Sequence, residues 1–107
     1  MTNFIQVTTA IDSEDGARKI ADTLVSRRLA ACVHIVGPIT SVYWWQRKLE
    51  TAREWVCIAK TRQELYDAVE AAIREVHPYD EPEILSTPIL AGSRGYLEWI
   101  AAETMGQ

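Results

Sequence analysis

A chain of 107 residues with 15 acidic and 11 basic side chains, a formal charge of −4, is long enough for one domain with a core of modest depth. Its basic residues are scattered, with no more than two ever standing together, as at Arg27-Arg28, which speaks against a phosphate-backbone footprint and makes nucleic acid an unexpected partner. No apolar run approaches the ~18 residues of a membrane span and no basic-apolar leader is present, while two cysteines are too few for a disulfide framework, so the expected setting is the cytosol with both thiols reduced.

Residues 4–10, Phe-Ile-Gln-Val-Thr-Thr-Ala, predict a first strand from their β-rich composition. Asp12 or Ser13 then caps a helix whose first turn carries Glu14 and Asp15, suiting the positive end of its dipole. Ala17, Ile20, Ala21 and Leu24 recur at helical spacing, and the helix runs out near Arg27-Arg28. Residues 30–36 predict a second strand, which Gly37-Pro38 interrupts as a bulge or bend before residues 39–45 resume it. Polar residues at 46–48 turn the chain, and a return strand over about residues 49–60 completes an unusually long hairpin. Thr61-Arg62-Gln63-Glu64 fits a capping box opening a second helix, with Leu65, Val69, Ala72, Ile73 and Val76 on its apolar face. That helix stops at His77-Pro78. Residues 83–90 predict a fourth strand whose Pro88 suits an edge or a bulge. Ser93 caps a short last helix carrying Tyr96, Leu97, Trp99 and Ile100.

The order β-α-β-β-α-β plus a terminal helix predicts an α+β, ferredoxin-like (split βαβ) sandwich of a single domain, with both main helices on one face of the sheet. Alternation along the return strand sets Val56 and Ile58 on one face and Trp55, Cys57 and Ala59 on the other; Val33 and Ile35 likewise oppose Cys32 and Val36. One apolar face is covered by helices. The other has nothing in this chain to bury it, which points to an obligate homo-oligomer.

The stretch His77-Pro78-Tyr79-Asp80-Glu81-Pro82-Glu83-Ile84 sets an imidazole, a phenol and three carboxylates between stiff prolines. Here His77 is either a metal ligand supported by neighbouring carboxylates or a histidine that satisfies the last carbonyls of its helix. Lys60 ends an otherwise apolar strand and calls for a carboxylate such as Glu83 or Glu50, as a structural ion pair or as an anion-binding lysine. Tyr43 and Trp45 share one face of the hairpin and Trp44 takes the other, serving as a ligand wall or as packing against neighbouring subunits. Cys32 and His34 lie two apart on one strand face, close enough to share a metal. No nucleophile with an adjacent base, phosphate loop or cofactor fingerprint is apparent, so no enzymatic activity is expected.

Arg28-Leu29-Ala30-Ala31-Cys32-Val33, Ser41-Val42-Tyr43-Trp44-Trp45, Lys60-Thr61, His77-Pro78-Tyr79, Pro82-Glu83-Ile84, Pro88-Ile89 and Tyr96-Leu97-x-Trp99 together resemble the CutA, or divalent-cation tolerance, family. The resemblance runs in order through essentially the whole chain. It implies a ferredoxin-like subunit in a tight homotrimer, a link to tolerance of divalent metals and copper above all, and no established catalysis. It also implies a likeness to PII signalling proteins, which bind small ligands in clefts between subunits. On that footing Lys60, Tyr43, Trp45, Tyr79, Glu83 and Cys32 are the ligand-binding candidates and His77 the metal candidate. Two departures stand out. Gln46-Arg47 replaces the residue-glycine pair at the hairpin turn, and Thr8 and Val76 stand where metal-site proposals in the family use a cysteine and a histidine. His77 alone remains of that set, so copper, if a cofactor, is expected to bind weakly.

Overall fold

The computed structural model describes residues 3–105. Its elements run β1 (Phe4–Ile11), α1 (Glu14–Ser26), β2 (Cys32–Trp45), β3 (Lys48–Arg62), α2 (Tyr66–Val76), β4 (Leu85–Pro88) and α3 (Arg94–Glu103). The strands form one antiparallel sheet in the order β2-β3-β1-β4, so β3 is inserted between the two strands that α1 connects.

The first helix begins as its sequence dictates. Ser13 is extended and its hydroxyl accepts from the Gly16 amide at 3.0 Å, satisfying one of the free N–H groups of the first turn. At the far end Arg28 adopts φ 57°. The Leu29 amide then reaches the Leu24 carbonyl and the Arg28 amide that of Val25, the paired closure that glycine usually provides. The Arg28 guanidinium holds the Glu103 carboxylate at 2.9 Å, tying this corner to α3.

The second helix begins differently from the capping-box reading. Thr61 belongs to β3, is fully buried, and donates its hydroxyl to the Leu29 carbonyl at 2.6 Å. A single 3-10 turn, Gln63–Leu65, follows instead, and neither it nor α2 has a side-chain cap. A hydroxyl buried in a strand end cannot also cover a helix terminus; register decided its role. Ser93 likewise precedes α3 without a side-chain hydrogen bond to it. The fourth strand is half the expected length, an exposed edge strand on β1 that ends at Pro88, where a missing N–H costs nothing to the ladder.

Burial follows the predicted alternation. Ile5, Val7 and Ile11 of β1 and Cys57 and Ala59 of β3 pack with Ala17, Ile20 and Leu24 of α1 and Val69, Ala72 and Ile73 of α2. Val33 and Ile35 of β2 join them. The opposite face is not wholly bare, contrary to the expectation: α3 packs against β3 at the Arg62 end. There the Arg62 guanidinium donates to the Thr104 hydroxyl at 2.8 Å and its carbonyl at 2.7 Å, and Ile100 is fully buried. Farther along that face Val36 and Leu85 remain exposed.

The long hairpin dominates the shape. Fourteen residues of β2 at ~3.3 Å each would span roughly 46 Å, comparable with the longest molecular dimension of 44 Å. Its tip is a two-residue loop in which Gln46 (φ 49°) and Arg47 (φ 67°) are both left-handed. That conformation matches the twist of the flanking strands, so this turn forms without the glycine it would favour. At Gly37-Pro38, a cis peptide, β2 bulges: Val36 pairs with Val56 and Ile39 with Glu54. Two residues of β2 therefore face the single Trp55 of β3, whose ring lies against the Cα of Gly37 so closely that a Cβ there would collide with it.

Candidate functional site: an acidic aromatic cleft beside the hairpin

The segment after α2 carries the prolines noted in the sequence, and His77 fixes its path. The imidazole is 8% exposed. Its Nδ1 accepts from the Tyr79 amide at 3.2 Å, which leaves Nε2–H to donate to the Ala10 carbonyl at 2.8 Å. The ring also meets that of Tyr79 edge-on at 4.6 Å. The His77 ring bonds a carbonyl of β1 and not those of its own helix, where only its backbone N–H reaches Ile73 at 2.9 Å, and both ring nitrogens are engaged. A metal at His77 would have to displace one of these bonds. Among the described residues no three His, Cys, Asp or Glu side chains converge on a common metal position.

His77 thereby clamps the loop to the end of β1 and delivers Tyr79 to β3. The Tyr79 hydroxyl donates to the Glu54 carboxylate at 3.0 Å. Burial, and then the Glu54 carboxylate, push the phenol well above its ordinary range, so it stays a neutral donor. Glu54 itself is only 9% exposed. Between this pair, the following loop and the hairpin lies a cleft of about 630 Å³ whose walls include Tyr43, Trp45, Tyr79, Asp80 and Glu83.

Four of the sequence candidates, Tyr43, Trp45, Tyr79 and Glu83, are thus brought together. Cys32 and Lys60 are not. They form a cross-strand pair near the other end of the sheet, on the face opposite α1 and α2. The carboxylate expected beside Lys60 is also absent from that position: its ammonium donates to His34 Nδ1 at 3.1 Å, while Glu50 pairs with Tyr43 in the hairpin and Glu83 lines the cleft. Strand register, not charge, chose the neighbour. Close to Cys32 stands Tyr96, whose phenol is held above its usual range first by burial and then by that cysteine. Cys57 is a core thiol, as its apolar surroundings suggested, donating to the Ala17 carbonyl at 3.4 Å and pushed up to about 11 by burial.

The residue missed from sequence is Glu54. In the sequence it is one of three charges in residues 50–54. The available signal was alternation, which sets Glu54 on the same strand face as Val56 and Ile58.

A family model described as CutA1 divalent ion tolerance protein matches residues 5–103. A divalent-cation tolerance protein CutA of Thermus thermophilus is 40% identical over 94 residues, covering 88% of this chain and 91% of the relative. The chloroplastic protein CutA 1 of Oryza sativa is 40% identical over 100 residues, 94% of this chain; the match spans 56% of that relative's length. Among solved structures, CutA1 from Oryza sativa superposes with a TM-score of 0.94 at 38% identity, covering 98% of this chain and 96% of that one. The periplasmic divalent cation tolerance protein CutA from Archaeoglobus fulgidus gives 0.88 at 39% identity, covering 97% and 99%.

Proposed function

The chain belongs to the CutA1 divalent ion tolerance protein family, and on that premise we propose that it is a non-enzymatic cytosolic homotrimer serving tolerance of divalent metal ions of the copper class. The subunit is read as ferredoxin-like, its sheet face opposite α1 and α2 and its hairpin meeting neighbouring copies. The observation that carries this reading is the apolar surface this chain leaves uncovered. Val36 and Leu85 on the sheet and Val42, Trp44, Trp45 and Leu49 on the two faces of the hairpin are all exposed, a concentration of large apolar side chains in water that marks an interaction surface. A partner of the same sequence covers it most economically.

In this reading the cleft beside Glu54 is where a cation or small ligand is held. Any copper binds weakly, because both ring nitrogens of His77, the metal candidate, are already engaged. A PII-like ligand sensor is the second reading, favoured by the same cleft running along the protruding hairpin, where a neighbouring subunit would border it. Sedimentation equilibrium at micromolar concentration tests the assembly. The expected species has three times the 12.1 kDa chain mass; a folded monomer would overturn the reading.

A further inference from the structure

We propose that the cleft beside Glu54 is a binding site for an organic ammonium cation, held by carboxylates and by aromatic faces, and not for a bare metal ion. The inference rests on the ligand-cleft part of the preceding reading and names its ligand class. It begins with the cost of Glu54. A carboxylate 9% exposed is expensive unless a cation compensates it. Among the described residues its side chain's hydrogen-bond partner is the neutral Tyr79 hydroxyl, and no Lys, Arg or His lines the cleft. Three further carboxylates, Asp80, Glu81 and Glu83, line the same space and strengthen a field that favours positive charge, although Glu81 also lies 3.5 Å from the Arg74 guanidinium.

The kind of cation follows from size and lining. A metal ion needs several oxygens converging within ~2.0–2.6 Å of one point. No such grouping exists among the described residues, and a cleft of about 630 Å³ is far larger than one ion. Aromatic walls are also wasted on a hydrated metal. Tyr43 and Trp45 fall on the same face of the hairpin as Glu54, because the bulge pairs Ile39 with Glu54 and sets every second residue beyond it on that side. Aromatic faces beside carboxylates recognise alkylammonium groups through cation–π attraction together with ion pairing. The apolar part of such a ligand would lie against the rings, and its charge would meet Glu54.

The test titrates the full-length protein with tetramethylammonium chloride, using sodium chloride at matched ionic strength and magnesium chloride as comparisons. Binding is read by calorimetry and assembled mass by sedimentation on the same samples. Saturable binding of tetramethylammonium but not sodium is expected, weakened about tenfold or more in Glu54→Gln, which removes the charge that attracts the cation while keeping the shape of the side chain. The amide keeps an acceptor for Tyr79, so the fold should survive. Should it not, Tyr43→Leu removes a ring from the cleft wall while keeping apolar bulk and is expected to weaken binding by about two- to thirtyfold. Equal responses to tetramethylammonium and sodium would overturn the proposal, as would affinity untouched by both substitutions. Magnesium binding that depends on Glu54, without tetramethylammonium binding, would overturn it in favour of a metal site. A trimer that binds no ammonium sinks this inference alone, whereas a folded monomer sinks the assembly reading.

Discussion

Replacing His77 by alanine separates the two roles open to that side chain, because they forecast opposite results. The imidazole is 8% exposed and joins the Ala10 carbonyl at 2.8 Å to the Tyr79 amide at 3.2 Å. Removing it strands one acceptor and one donor, each costing ~1–3 kcal/mol where water cannot replace the partner. Lost packing against Tyr79 adds to this, though the site can partly collapse. The expected destabilisation is therefore about 2–5 kcal/mol, read as a lower urea midpoint by tryptophan fluorescence, with parent and variant at one protein concentration because assembly contributes to stability. Copper affinity of the folded variant, measured by calorimetry, should change little. The reasoning fails if the variant unfolds within ~0.5 kcal/mol of the parent, the ordinary range for a surface change, yet has lost its copper binding. That pair of results would make His77 a ligand and its hydrogen bonds incidental.

Two other perturbations probe the scaffold. Arg47 holds φ 67° at the hairpin tip, a region costing a non-glycine residue ~1–2 kcal/mol; Arg47→Gly relieves this but adds ~0.4–1 kcal/mol of unfolded-chain entropy. A net gain of about 0.5–1 kcal/mol in denaturant stability is expected, and a loss would show that the Arg47 side chain holds the tip. The Cys57 thiol is raised from 9.0 to about 11 by burial, so between those pH values the folded state keeps a proton that the unfolded state releases. Stability then falls as pH rises through this window, by up to about 2–3 kcal/mol at ~1.4 kcal/mol per unit, and is fully present below it. Tyr79 acts in the same direction above its ordinary value of 10.0, so the comparison is with Cys57→Ala, whose stability should decline less from pH 9 to 11. Parallel declines would refute the assignment to Cys57.

The elements were legible wherever one residue pattern had one structural meaning. The period of Ala17, Ile20 and Leu24 and the cap at Ser13 defined α1, and alternation on β3 sorted Cys57 and Ala59 inward. Misreadings arose where a residue could serve two partners. Thr61 and Glu64 have the spacing of a capping box, but register buries Thr61 against Leu29, and burial outweighs the modest gain of a cap. The bare sheet face was overstated for a similar reason. A ten-residue amphipathic helix gives no local sign of where it docks, and α3 is placed by Arg62 reaching Thr104 across 42 positions.

The cleft was half legible, and the bulge explains which half. Before Gly37-Pro38 the even-numbered residues of β2, Cys32, His34 and Val36, share the face of Val56 and Ile58; beyond it the odd-numbered residues take that face, because two residues of β2 oppose one of β3. Simple alternation from Cys32 would put Tyr43 and Trp45 on the helix-covered face, away from Glu54. The sequence marked the interruption at Gly37-Pro38 but not whether one residue or two would be left over, and that count decides which side the aromatic residues take. A second non-local choice completes the site. His77 bonds Ala10, 67 positions away, and only this crossing brings Tyr79 to Glu54. The proline-rich segment declares its own stiffness, since φ restriction is local. What it is stiff against is set by β1 and β3, so the loop residues of the site could be named from sequence while their buried carboxylate partner could not.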